Sequence, residues 1–539
     1  MRNTLLPLTS LFVSCFILFL GNGLINVLLP VRMGLDGASV DSIGAVLSLY
    51  YVGMLIGAVY SKNLIKRAGH ARMFTGCVAL SAMSILICSL FLDPVFWGVM
   101  RIVIGFCNAC ALTAMESWLG DSSDIKTRGK VLATYNAVVL AGLFGGQFFM
   151  NIANPIDTTL FVVAGILLCA ATIPIGLSAK SGPVLGEVDP MPLRKLYYIS
   201  PLGIVSCLIS GLIYSALFNL LPVFAGQNDI NEFDLSIYMG VAIFGAFLLQ
   251  FPVGYLSDRY DRRTVLLGLL FVSALSGLAV VALARWQYFP AMFVATGVTC
   301  GIVACIYPLS IAEAFDRLKQ SEMVAAMGSM ILAFSFGGAL GPISASFVMS
   351  KFGGASLFYF LAIIQVLLAG FVIFRMVARN ALPVAEQENF VMQNAAVSPS
   401  IELDPRSEYV ETVRELSAEE EMAVAIANVD PAAAVKMTRA LSLIDPQLCT
   451  GVATAIARVN GIDVLRLFDV MMEVLPSDLL NVTRSLVTAR PEFAYELMVR
   501  LGKSYPDRVV EVAEAIGHDL PELRVVTAKA AMLIAPDSA

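Results

Sequence analysis

The chain has 539 residues, 58% apolar and 14% charged, with a mean hydropathy of +0.80, against roughly 45–50% apolar and about 25% charged in soluble domains, which excludes an ordinary soluble enzyme. Its charge is divided: 22 Lys+Arg and 17 Asp+Glu up to residue 380 give +5, whereas 13 and 24 beyond it give −11. The acidic C-terminal part excludes nucleic acid as its partner, because phosphate contacts need clustered Lys and Arg.

Twelve apolar runs of about 20 residues, each long enough to cross a bilayer as a helix, are expected at 5–31, 41–61, 73–92, 95–118, 130–151, 158–178, 201–225, 235–256, 265–284, 289–313, 324–350 and 355–376. The first is longer than the core of a signal peptide and lacks a small-x-small cleavage site, so it is read as a span. With both termini on one side, the segments there hold 18 Lys and Arg, and the opposite loops hold only Arg32, Arg285 and Lys351. Short positively charged loops stay cytoplasmic, so both termini are expected to be cytoplasmic.

The spans repeat at an offset near 195 residues. Leu28-Leu29-Pro30-Val31 recurs as Leu220-Leu221-Pro222-Val223, and Phe144-Gly145-Gly146 as Phe336-Gly337-Gly338, both at 192. Gly57, Lys62, Lys66 and Glu116 recur as Gly254, Arg259, Arg263 and Glu313, each at 197. The expected organisation is an all-α membrane protein of two pseudo-symmetric six-helix bundles, 1–178 and 201–380, joined by a polar linker at 179–200 with Lys180, Gly182, Pro183, Pro190, Pro192, Arg194 and Lys195.

Residues 381–412 read as a flexible linker, being polar and poor in aromatics. From there to 539 a second repeat sets in: Pro431, Pro446, Pro476, Pro491, Pro506 and Pro521 fall on a 15-residue grid with Gly461 in the vacant place. Proline suits a first helical turn, and Asp430 and Asp445 precede two of them as N-caps; Ser417 with Glu420 forms a capping box. Met422, Met437, Val452, Leu467, Val482, Leu497 and Val512, each with an apolar residue four positions on, mark one buried face per helix. Residues 413–539 are therefore expected to form a cytoplasmic α-solenoid-like array of eight short helices that binds a protein partner or self-associates.

Nine of ten cysteines lie in or beside apolar runs, the pair Cys107 and Cys110 included, and read as packing residues. With only His70 and His518 in the chain, no metal, cofactor or catalytic constellation is expected. One ionisable side chain lies well inside a span, Arg101, and a charge there demands compensation. Gly105 and Asn108 share its helix face, and Asn22 and Asn26 on the first span lie at similar depth. Tyr51, Asn136, Gln147, Tyr214, Asn219, Gln250, Tyr307 and Ser310 are the other intramembrane polar groups, and together these residues are expected to line a solute cavity. A lone fixed cation favours a polar or anionic solute. Glu116 is expected to pair with Lys62, Lys66 or Arg67, and Glu313 with Arg259, Arg262 or Arg263, as gate salt bridges, with Asp258 capping a neighbouring helix N-terminus.

The segment Gly254-Tyr-Leu-Ser-Asp258-Arg259-Tyr-Asp261-Arg262-Arg263 resembles the loop motif G-x-x-x-D-R-x-G-R-R of the major facilitator superfamily, with Asp261 in place of the second glycine. The counterpart after span 2 has Ser61 where the acid stands. Arg101-Ile-Val-Ile-Gly105 is similar to that family's R-x-x-x-G motif; Glu116-Ser-Trp-Leu119 with Arg128-Gly129, and Tyr307-Pro-Leu with Glu313, look like its YcaD-like bacterial branch. Span 5 lacks the proline of the antiporter motif G-x-x-x-G-P. The resemblance implies a secondary transporter working by alternating access in a bacterial inner membrane, its solute site between the bundles. The competing expectation is a non-transporting receptor or scaffold that positions the C-terminal helices.

Overall fold

The computed structural model describes residues 8–122, 125–176, 191–379, 383, 387, 390–393, 418–442, 446–459, 461–476, 478–519 and 523–534. Residues 179–190, Ser417, Asp445, Pro521 and most of 381–412, on which linker and capping expectations rest, lie outside them. In chain order the first half holds α1 (Thr9–Leu35), α2 (Val40–Ala68), α3 (His70–Cys88), α4 (Pro94–Asp121), α5 (Ile125–Gln147, extended by a 3-10 turn Phe148–Asn151) and α6 (Thr159–Gly176). A short α7 (Leu193–Ile199) leads into α8 (Pro201–Gly226), α9 (Glu232–Leu248), α10 (Gln250–Arg259), α11 (Arg262–Arg285), α12 (Phe289–Phe315), α13 (Gln320–Phe352) and α14 (Ser356–Ala378). Counting α9 with α10, twelve spans among the described residues are long and apolar enough to cross a membrane.

Local chemistry sets the starts. Ser39 accepts from the Ser42 N–H, Asn231 from Asp234, and Asp93 from Phe96, with Pro94 in the first turn where a missing N–H costs nothing. The eighth span is interrupted where one helix was expected: Pro252 has no N–H and crowds the carbonyl four residues back, so the helix breaks after Leu248. The side-chain amide of Gln250 donates to the Ala246 carbonyl at the break.

The sequence repeat is a packing repeat. In the first half α1 packs on α5 and α6, α4 on α2 and α3, and α3 on α6; in the second α8 packs on α13 and α14, α12 on α9 and α11, and α11 on α14. Where these helices touch, glycines let backbones meet: a Cβ on Gly105 would lie 2.0 Å from the Tyr50 carbonyl oxygen, and one on Gly53 2.1 Å from that of Ile102.

The halves meet through α2 with α13, α5 with α9, and α1 with α8. Most Lys and Arg lie at one end of the bundles, here the basic face; the other is the far face. Bonds in the far half tie the halves together. The Ile343 N–H, beside Pro342, donates to Ser48 at 3.0 Å; Ser236 donates to the Gln147 carbonyl at 3.1 Å, and Asn151 to Ser236 at 3.0 Å. Gly44 lies so close to α13 that a Cβ would meet Ser346 Oγ at 2.0 Å. The described end of the inter-bundle linker is tied to the second half, Lys195 pairing with Glu322 at 2.8 Å.

Residues 411–539 form a second compact unit. Eight helices are described in it: α15 (Ala418–Val429), α16 (Pro431–Ser442), α17 (Pro446–Ala457), α18 (Val464–Val474), α19 (Leu479–Ala489), α20 (Ala494–Ser504), α21 (Val509–Asp519) and α22 (Arg524–Ile534). Asp430 accepts from the N–H groups of Ala432 and Ala433, both at 3.0 Å, capping α16. Gly461 has φ +99°, which explains a glycine where the grid lacks its proline. From Val452 onward the expected face is buried, but α15 turns Ala423 and Ala427 inward and leaves Met422 60% exposed, so its small residues make the contact with α16 and α17.

Candidate functional site

Between the halves lies a cavity of about 80 Å³. Asn26 from α1, Tyr50 and Tyr51 from α2, Gln147 from α5, and Tyr214 and Asn219 from α8 give it hydrogen-bonding groups; Met54, Leu140, Leu143, Phe218, Met239, Ile243 and Ala246 give it an apolar wall. Asn219 Nδ2 donates to the Tyr51 hydroxyl at 3.2 Å, joining the halves across it. Tyr214 stacks on Phe218, centroids 4.4 Å apart at 30°, making a flat aromatic side.

Of the expected lining residues, Asn26, Tyr51, Gln147, Tyr214 and Asn219 are in place. Arg101, Asn108 and Asn22 sit one layer behind. Asn108 Nδ2 donates to Asn22 Oδ1 at 3.3 Å and to the Tyr50 hydroxyl at 3.2 Å; Asn22 faces Asn108, not Arg101. The Arg101 guanidinium lies over the Tyr50 ring, 4.8 Å from its centroid. Its residue is 2% exposed, and among the described residues its Nε and Nη2 have no hydrogen-bond partner and no carboxylate pairs with it. Tyr50 is thus the link between cavity and charge, and it went unremarked in the sequence although the Tyr50-Tyr51 doublet in mid-span was visible. Gln250 is spent on the α9–α10 break and lies off the cavity. Tyr307 packs on Phe334, centroids 4.6 Å apart, behind Tyr214. Asn136 turns to the carbonyl of Met392 at 2.8 Å, and Ser310 to the Ile306 carbonyl of its own helix at 2.7 Å.

In the second half the basic-face charges pair differently from expectation. Glu313 pairs with Arg317, one turn on, at 3.1 Å, and Arg262 with Asp316 at 2.6 Å. Arg263 pairs with Asp261 at 3.2 Å, and Arg259 with the Tyr255 hydroxyl. Asp261 also accepts from the Arg263 N–H and caps α11, the task expected of Asp258; the latter accepts from the Phe390 N–H at 2.7 Å. The physical reason is register: Arg317 and Asp316, not noticed as partners, end α12 beside the two acceptors and donors that the loop offers. Arg317, Arg375 and Arg379 crowd with Arg263 and Glu313 into a small cleft at the start of α8. Outside the span, the Arg379 guanidinium is held below its ordinary range, chiefly by repulsion from Arg317, then by burial and Arg375. In the first half Glu116 is buried and accepts from the Tyr135 hydroxyl at 2.7 Å, while Lys62 is half-buried and Lys66 and Arg67 are exposed. Ser61 donates to the Ala58 carbonyl at 3.4 Å.

The family model of the Major Facilitator Superfamily matches residues 11–246 and again 203–444. An uncharacterized MFS-type transporter YcaD of Escherichia fergusonii is 27% identical over 383 residues, 70% of this chain and 96% of its own; the protein of that name from Escherichia coli O7:K1 has the same identity and coverage. Among solved structures, the nucleoside transporter NupG superposes with a TM-score of 0.56 at 13% identity, covering 68% of this chain and 98% of its own. A bacterial homolog of the human lysosomal transporter Spinster, inward-facing and unoccupied, gives 0.53 at 15%, covering 70% and 95%. At these identities the structural likeness shows the fold.

Proposed function

Since the chain belongs to the Major Facilitator Superfamily, and is a multi-pass membrane transporter of that type, we propose that it carries a small polar or anionic solute by alternating access, with the solute held in the cavity between the bundles. The observation that carries this reading is the buried Arg101 behind Tyr50, which no carboxylate pairs with among the described residues. A cation kept out of water without a counter-charge is costly, and a solute that brings hydrogen-bond acceptors or negative charge to the Tyr50 side of the cavity compensates it. Tyr214 with Phe218 suits a solute that also offers a flat or apolar face. The distribution of Lys and Arg supports a cytoplasmic basic face and cytoplasmic termini in a bacterial inner membrane. The bonds through Ser48, Gln147 and Ser236 support a far face closed in this state, and the Glu313, Glu116 and loop charges support a latch on the basic face that rearranges as it closes. The C-terminal helices we read as an α-solenoid-like binding unit, because each packs on the next and all but the last two on the next but one at a 15-residue spacing, as stacked repeats do.

The test is thermal unfolding of the full-length protein against sugars, carboxylates, amino acids and nucleosides, for wild type and Arg101→Ala. A solute at 100 times its Kd stabilises by about 2.7 kcal/mol. The expected outcome is a compound class that raises the midpoint of wild type and fails with the variant; a compound that stabilises both equally removes Arg101 from the site.

A further inference from the structure

A piece of the chain itself lies between the halves at the basic face. After α14 ends at Ala378, residues 390–393 return to the bundles without forming a helix. The Phe390 N–H donates to Asp258 Oδ1 on α10 at 2.7 Å, and the Met392 carbonyl accepts from Asn136 Nδ2 on α5, in the other half, at 2.8 Å. The Phe390 ring covers Gly254, where a Cβ would meet its Cδ1 at 2.8 Å. Phe390 and Val391 pack on the core of the bundles, and Gln393 is 1% exposed. Four consecutive residues, in a stretch whose composition reads as flexible, therefore touch both halves.

We propose that residues 390–393 are a strap that holds the basic face open and must leave before that face can close, a brake on transport built into the chain. The inference rests on the alternating-access reading above. On the far half α5 meets α9 directly, with Gly240 against Phe144 and Ser236 bonded to Gln147. On the basic half, the strap's backbone stands between Asn136 and Asp258, so α5 and α10 cannot come together while it is there. An extended segment needs partners for its N–H and C=O groups, and this one draws them from opposite sides of the cleft; the bond to a carboxylate is of the stronger, charge-assisted kind.

The experiment is amide hydrogen exchange by mass spectrometry on the full-length protein in lipid nanodiscs. It compares wild type with Asn136→Asp, whose carboxylate repels the Met392 carbonyl, and with Phe390→Gly, Val391→Ser, Met392→Gly and Gln393→Ser combined. A third protein, Gly44→Phe, forces the far face apart independently of the strap. The expected result in both strap variants is about tenfold faster exchange at the far-face ends of α2 and α13, the size that losing one such hydrogen bond or the strap's side-chain packing implies, together with slower exchange at the basic-face ends of α5 and α10. Faster exchange at the basic face with the far face unchanged means that the strap only covers the cleft, and overturns the proposal; so does no change at either face. If Gly44→Phe gives the reciprocal change while the strap variants do not, the strap is wrong and alternating access stands; if Gly44→Phe opens the far face without protecting the basic face, alternating access falls and the strap with it. Should the fourfold variant fail to fold, Asn136→Asp decides.

Discussion

Arg101 concentrates the problem that this sequence poses. A guanidinium 2% exposed, with a tyrosine ring as its described neighbour and no carboxylate, is a cost in the empty protein, since one ring face returns only about 0.5–2 kcal/mol. Arg101→Met should therefore raise the unfolding midpoint in the absence of solute, by the equivalent of at least about 1 kcal/mol, while abolishing uptake into vesicles. A lower midpoint would mean that Arg101 is a structural tie. A second residue-scale expectation concerns Cys449, fully buried in α17, where burial pushes the thiol up to about 11. An ordinary thiol near 8.5 is about a quarter thiolate at pH 8, and this one is about a thousandth. Iodoacetamide at pH 8 should leave Cys449 unmodified until urea unfolds the C-terminal helices, as read by mass spectrometry; prompt modification in the native protein would contradict that burial.

At the scale of elements, the site depends on two helices that touch backbone to backbone. Gly53 and Gly105 bring α2 and α4 close enough to hold the Arg101 guanidinium over Tyr50. Gly105→Ala places a methyl group 2.0 Å from the Tyr50 carbonyl oxygen, and since backbone cannot give way as a side chain can, the helices must separate. The expected cost is about 1–3 kcal/mol of stability and a transport defect close to that of Arg101→Ala, although residue 105 touches no solute. Wild-type transport at a lowered midpoint would show that the Arg101–Tyr50 contact does not matter. The motif Arg101-x-x-x-Gly105 is thus one device, a charge and the close approach that aims it. Asp261 likewise departs from the family's glycine and caps α11 in its place.

At the scale of the molecule, each of the two compact units has its own apolar core, one of the span helices and one of α15–α22. A chain ending at Gln393 keeps the spans and the strap, so it should fold in membranes and bind the solute found for the full-length protein, with a Kd within about threefold. Loss of solute binding in that shortened but folded protein would favour the scaffold reading, in which the spans serve the C-terminal helices.

The sequence alone determined the features that short-range chemistry and periodicity dictate. Twelve spans, two related halves, a charge-marked face and helices every 15 residues were all legible, because apolar length, loop charge and proline spacing are properties of the chain itself. It also singled out Arg101, since a charge well inside an apolar span stands out without coordinates. Only the tertiary structure decided which groups meet. That Tyr50 stands between Arg101 and the cavity, that Arg262 pairs with Asp316, and that Phe390 and Met392 reach Asp258 and Asn136 depends on contacts between residues as many as 256 positions apart. No local preference encodes such pairings; they are fixed by how two related bundles settle against each other, and by where a short extended segment finds partners for its backbone.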